Sequence, residues 1–242
     1  MHLTREVFLV SGMSYGLLGN VYAVRHGQGL FLVDCGRPDR EVVPMIEANL
    51  AYWGLEGLPI THLLVTHGHP DHVGNARYFQ RKGALVVAGK PDADQIIALG
   101  DYDPSLFPCV LHDFEDDCLF EPCQADIRIE KDTTLKIGDL QVDVLTTPGH
   151  TQGSVVYVVY AGGKKLFFTG DTLGFDGSKG DRPILGTSAS VDYDSAAFVR
   201  SMQKLLNRHP DAVFGGHGCP RLIESNHAVA AACMRAMAER QR

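Results

Sequence analysis

No stretch of the chain approaches the roughly 18 consecutive apolar residues of a membrane-spanning helix, so no membrane association is expected. Basic residues are outnumbered, with 22 Lys and Arg against 29 Asp and Glu, for a net charge of −7. A general nucleic-acid binder needs a basic footprint, and this balance argues against one. The six cysteines (Cys35, Cys109, Cys118, Cys123, Cys219 and Cys233) form no Cys-x-x-Cys pair. Free thiols are expected rather than a disulfide framework, although Cys109, Cys118 and Cys123 are close enough in sequence for a bridge. The first apolar run is short and broken by Ser11 and Gly12. It does not read as a secretory signal, and the expected location is the cytoplasm. There is no linker rich in Gly, Ser or Pro, and no short-period repeat.

What is present is ordinary for a globular protein: 242 residues, 45% of them apolar and 21% charged, enough for a sizeable core. Patterning predicts strands over 6–10, 20–25 and 30–34, with Gly27-Gln28-Gly29 as a hairpin turn. A helix follows from a capping Asp39 to about Trp53, with Val42, Val43, Met45, Ile46, Leu50 and Trp53 at helical spacing. Then come a buried strand over 60–65, a helix over 71–82, a strand over 84–88 and a short helix from Pro91 to about Leu99. Residues 100–125, rich in Asp, Glu and Pro, read as an acidic surface excursion. Short strands return at 127–129, 133–137, 140–145, 155–160 and 165–168. Asp194 can cap a helix through about Arg208, 211–214 is a last strand, and 223–240 a last helix. This order predicts a single domain over 1–242 built of two similar layered halves, about 1–125 and 126–242.

The densest chemistry lies in Thr66-His67-Gly68-His69-Pro70-Asp71-His72, with three imidazoles and a carboxylate within six positions. The run directly follows the strand over 60–65, and Pro70 suits the first turn of a helix. Such a cluster suits zinc or another divalent first-row metal, such as iron or manganese. Three further ligand-type residues share the same setting. Thr146-Thr147-Pro148-Gly149-His150 ends one strand in a histidine, Thr169-Gly170-Asp171-Thr172 ends another in an aspartate, and Gly215-Gly216-His217-Gly218 ends a third in a histidine. Four strand ends could therefore present seven ligands to one point. The other histidines, such as His26, His62 and His209, read as ordinary core or surface residues.

In this order the motifs resemble those of the metallo-β-lactamase superfamily of hydrolases, over about residues 20–218. The resemblance implies an α/β fold, a four-layer αββα sandwich of two mixed sheets with metals at one edge. It implies two divalent metal ions, zinc first with iron or manganese as alternatives. It places His67, His69 and His150 on one metal and Asp71, His72 and His217 on the other, with Asp171 bridging. A hydroxide shared by the two metals would attack a carbonyl carbon, with Asp71 orienting it and shuttling its proton. Thr66, Thr147, Thr172 and Asp34 are candidates to orient the imidazoles.

The resemblance also implies a small-molecule substrate: an ester, lactone or thioester. The glyoxalase II and lactonase-like branch fits best, and the short stretch after His217 favours the lactonases within it. The presence of Asp171 counts against a true β-lactamase. An iron-dependent oxidoreductase resembling persulfide dioxygenases, and a non-catalytic metal-binding module, remain as alternatives, and a homodimer stays open. Expected substrate contacts are Tyr15, Phe175, Tyr193, and Lys179 and Arg182 on a Gly-rich loop after Asp171. Cys219 reads as a packing thiol beside the site.

Overall fold

The computed structural model describes residues 1–13, 19–27, 29–98, 120–179, 182–186 and 193–240. Strands β1 (Val7–Leu9), β2 (Tyr22–His26) and β3 (Gly29–Val33) form an antiparallel meander. Strands β4 (Ile60–Leu64), β5 (Leu85–Gly89) and β6 (Ile127–Ile129) add to it in parallel, giving a six-stranded mixed sheet in sequence order. The second sheet is β7 (Thr133–Ile137), β8 (Leu140–Thr146), β9 (Val155–Ala161) and β10 (Lys164–Gly170) as an antiparallel meander, with β13 (Ala212–Gly215) parallel to β10 at its edge. Because β6 joins the first sheet, the second begins at Thr133.

Alternation along the strands builds three apolar layers. In β3, Leu30 and Leu32 face outward onto helix α1 (Val42–Tyr52), with Ile46, Leu50 and Phe79. Phe31 and Val33 face inward and meet Tyr157, Val159, Phe168 and Phe214 of the second sheet. On that sheet's other face, Val156, Val158 and Phe167 pack under α5 (Ser195–Leu206) and α6 (Ser225–Arg240) through Phe198, Met202, Leu205 and Val229. The result is the four-layer αββα sandwich, each buried large apolar side chain contributing about 1.5–3 kcal/mol. Among the described residues no helix is long and apolar enough to cross a membrane.

Strand direction positions the site. Strands β8 and β10 both run antiparallel to β9, and β13 runs parallel to β10. Their C-terminal ends therefore share one edge. The end of β4 is tied to that edge across the sandwich: Val155 N–H donates to Thr66 O at 2.9 Å, and the Tyr157 hydroxyl lies 2.8 Å from Val65 O.

Several elements differ from expectation. The helix over 71–82 is two pieces, α2 (Pro70–Val73) and α3 (Ala76–Arg81). It breaks at Gly74, where the chain from 35 to 38 presses in: a Cβ there would sit 2.5 Å from Pro38 Cδ. Asn75 then binds the carbonyls of Cys35 and Arg37 through its side-chain amide. Asp39 does not cap α1, because its carboxylate pairs with Arg37 and the N-cap is Glu41 without a side-chain bond. The short helix from Pro91 is α4 (Lys90–Asp92) running into a π-helical turn, Ala93–Ile97. The loop after Asp171 is a hairpin of β11 (Leu173–Asp176) and β12 (Arg182–Leu185), with a 3-10 turn at Gly177–Lys179. Of the acidic excursion, residues 100–119 lie outside the described residues, Cys109 and Cys118 among them. Its end is tied into the fold: Phe120, Cys123 and Ala125 are buried in the outer core, while Glu121, Pro122 and Gln124 stay exposed. Cys123 is a free thiol.

Candidate metal centre

All seven expected ligands converge at the shared edge. His67, His69, His150 and Asp171 form one group, and Asp71, His72 and His217 a second, the ligand atoms of each lying within 4.8 Å of one another. In the first, His150 Nε2 is 3.3 Å from His67 Nε2 and 3.1 Å from His69 Nδ1. In the second, His217 Nε2 is 3.3 Å from His72 Nε2 and 3.1 Å from Asp71 Oδ2. Asp171 touches both: Oδ1 is 3.3 Å from His72 Nε2, and Oδ2 is 3.6 Å from His150 Nε2 and 3.4 Å from His217 Nε2.

The donor set fits metal ions. Tetrahedral bonds of about 2.0–2.1 Å space ligand atoms by roughly 3.3 Å, close to the separations here. The Thr66 hydroxyl donates to Asp34 Oδ2 at 2.8 Å and so accepts from His67 Nδ1 at 3.0 Å. This fixes the tautomer and leaves the His67 Nε2 lone pair aimed inward. Burial and the neighbouring imidazoles hold His67 and His69 well below the usual histidine range, so both are neutral donors. A cluster of facing lone pairs repels itself unless a cation sits between them.

The second group holds its charge differently. Burial pulls His72 down, but Asp71, Asp171 and Asp34 outweigh it and hold His72 well above the usual range. His217 is likewise pushed up to about 10 by Asp171 and Asp71 against burial. Burial raises Asp71 and Asp171, but His72 and His217 outweigh it and keep both carboxylates well below their usual range. Without metal, protons on the imidazoles balance the carboxylates, and a divalent ion would displace them.

Asp34 is buried with φ of 59°, and its carboxylate has three partners: Thr66 N–H at 2.7 Å, the Thr66 hydroxyl, and His72 Nδ1 at 2.8 Å. It thus orients one imidazole of each group. Thr147 takes no such role: its buried hydroxyl has no hydrogen-bond partner among the described residues, and its amide donates to Ser154 O. The amide of Thr172 closes a turn on Thr169 O.

Asn20 carries no motif and was not foreseen from the sequence. Its side-chain amide donates to Gly215 O and Gly218 O, both at 3.1 Å, and its backbone N–H donates to Gly216 O. It thereby clamps the turn that carries His217. Gly216 is required there, because a Cβ would fall 2.4 Å from Asp171 Oδ1 and 2.6 Å from His72 Cε1.

The expected substrate contacts fare less well. Phe175 is 1% exposed and belongs to the core under α5 and α6, so it cannot meet a substrate. Polar neighbours and a Gly-rich context suggested a loop, but the hairpin turns the ring inward. Arg182 is exposed near the hairpin's turn, opposite Asp176 in register, and the side chain of Lys179 lies outside what is described. Arg182 does not line the cleft of about 190 Å³ beside the ligands, which is walled by Asp171, His217, Gly174, Ile184, Leu185 and Gly186. Tyr193 packs its ring 5.6 Å from Phe198. Tyr15 lies outside the described residues. Cys219 is half-buried, with its sulfur 3.7 Å from Met13 Sδ.

The chain is similar to known proteins. The family described as the Metallo-beta-lactamase superfamily matches residues 14–217. A Beta-lactamase-like protein 2 homolog from Drosophila melanogaster is 27% identical over 200 residues, covering 82% of this chain and 58% of that protein. A hydroxyacylglutathione hydrolase from Rhodopseudomonas palustris is 34% identical over 118 residues, covering 49% of this chain and 36% of that protein. The chain therefore spans only about a third to three-fifths of the length of these relatives. A metallo-beta-lactamase with a HARLDQ motif from Cronobacter sakazakii superposes with a TM-score of 0.72 at 19% identity, covering 98% of this chain and 93% of that one. That likeness shows the fold.

Proposed function

We infer that this chain, which belongs to the metallo-beta-lactamase superfamily, is a dinuclear metal-dependent hydrolase acting on a small ester, lactone or thioester. The observation that carries the reading is the pair of ligand groups joined by the two oxygens of Asp171. Divalent metals held there, zinc first with iron or manganese as alternatives, supply a Lewis acid for a carbonyl and a water acidic enough to deprotonate near neutral pH.

The chain's own residues do the rest. Asp71 is 7% exposed and ionised, and its carboxylate can accept a hydrogen bond from the attacking water and pass on its proton. Asp34 and Thr66 hold His72 and His67 with their Nε2 atoms inward, so little reorganisation is needed when charge develops. The apolar wall of Ile184 and Leu185 gives an uncharged part of a substrate a place beside Asp171 and His217. The relative named hydroxyacylglutathione hydrolase supports acyl hydrolysis as the reaction class.

The test is a panel of small esters, lactones and thioesters, assayed with zinc-loaded, chelator-stripped and zinc-restored protein. Turnover of at least one class, lost on stripping and regained with zinc, is expected. No turnover of any panel member by fully metal-loaded protein would overturn the reading in favour of a binding role.

A further inference from the structure

The three imidazoles of the first ligand group come from two loops that belong to different sheets. His67 and His69 follow β4 of the first sheet, and His150 follows β8 of the second. Asp34 reaches His67 through Thr66, but it touches neither His69 nor the His150 turn. A different carboxylate sits between those two loops. Asp92 ends the short helix α4 and is 2% exposed. Its Oδ2 accepts from Gly68 N–H at 2.8 Å, the amide between His67 and His69. The same oxygen accepts from the Thr151 hydroxyl at 2.7 Å, on the residue after His150. Its Oδ1 accepts from Gly153 N–H at 2.7 Å.

The surroundings are shaped to this contact. A Cβ on Gly153 would fall 2.4 Å from Asp92 Cγ, and a Cβ on Gly89 would fall 1.9 Å from Gly153 O. Only bare backbone lets the three segments close this far. Thr151 is held in place in turn: its N–H donates to Ser154 Oγ at 3.1 Å, and the two hydroxyls lie 2.7 Å apart. The amides of Gly68 and Gly153 and the hydroxyl of Thr151 converge on two carboxylate oxygens, so an amide does not substitute: Asn would turn an NH₂ against at least one of them.

We propose that Asp92 is the positioning residue of the first ligand group, fixing the His67–His69 loop against the His150 turn and so setting how tightly those imidazoles retain a metal. The proposal rests on the metal-centre reading. The second group is held by other residues, with Asp34 on His72 and Asn20 on the His217 turn. Neither Gly68 nor Thr151 nor Gly153 is next in sequence to Asp71, His72 or His217. Loss of Asp92 therefore loosens the two groups unequally.

The test uses cobalt-loaded full-length protein, with Asp92→Asn and Thr151→Val compared against His69→Ala and His217→Ala as references for the two groups. Metal content after dialysis, the visible cobalt spectrum and the rate of loss to a chelator are read together with the melting temperature of the stripped protein. In Asp92→Asn, cobalt should fall from about two toward one per chain. Its remaining spectrum should match that of His69→Ala, and affinity in the first group should weaken by roughly 10- to 100-fold. Thr151→Val should move in the same direction by less, and it supplies the readout if Asp92→Asn does not fold. Loss of both metals in equal measure, or a lowered melting temperature with both metals retained, would reduce Asp92 to a structural residue and overturn the proposal. Wild-type protein that bound no cobalt would instead sink the metal-centre reading beneath it.

Discussion

Asp71 and Asp34 are both buried carboxylates beside His72, yet they face different ways, and substitution should separate them. Asp71 points to the inner face of the second group, 3.1 Å from His217 Nε2. Asp71→Ala, assayed with its metal content restored, is predicted to lower kcat by roughly 10²- to 10⁴-fold while the far-ultraviolet circular dichroism is unchanged. Near-wild-type turnover in such a metal-loaded variant would exclude the role given to it. Asp34 sits behind the imidazoles, bonding His72 Nδ1 and both donors of Thr66. Asp34→Asn keeps a side chain that tolerates the left-handed backbone at φ 59°, but it sets an NH₂ against groups that need an acceptor. Metal affinity is predicted to weaken by roughly 10- to 100-fold, measured by chelator competition, with the metal-saturated kcat less affected than in Asp71→Ala.

Helix α5 shows how an element both supports the site and could be read in advance. Asp194 takes the N–H groups of Ala196 at 2.8 Å and Ala197 at 2.9 Å, and its own N–H donates to Gly149 O beside His150. Asp194→Ala is predicted to cost about 1 kcal/mol, seen as a lower urea midpoint with an unchanged slope. This cap was legible because an aspartate directly before a helical run is a strong N-cap signal, and its carboxylate does take the first free amides. Asp39 looked equivalent in sequence but is taken by Arg37, an ion pair that local propensity does not reveal. The ligand motifs were legible for a firmer reason: each histidine or aspartate directly follows an apolar strand, and strand direction then sends all four ends to one edge. The helix over 71–82 was overextended because the intrusion of Pro38 at Gly74 is a tertiary event. The β11–β12 hairpin was missed because its strands are four residues each and Gly174 interrupts the pattern. Without it, Phe175 looked like a surface aromatic rather than a core residue. Asp92 gave no signal, since Pro91-Asp92 reads as an ordinary helix start.

At the scale of the whole molecule, the two sheets bury one shared core, and the metal centre spans their common edge. Stability and metal binding are therefore linked. In metal-free protein His217 is raised from 6.5 to about 10. A raised folded-state pKa contributes stability that is complete below about 6.5 and is lost as pH climbs toward 10. Chelated protein is predicted to melt at progressively lower temperature across that window. Metal-loaded protein, whose imidazole nitrogens hold metal in place of protons, should show a flatter profile. Parallel declines in both forms would contradict the account of how the second group balances its charge. The central claim, that both ligand groups hold metal, is tested most directly by elemental analysis of protein purified without added metal, together with its visible spectrum. About two zinc or manganese ions per chain, matching the two groups, is the predicted result. A single iron per chain, with oxygen uptake on thiol substrates and no ester, lactone or thioester turnover, would contradict it.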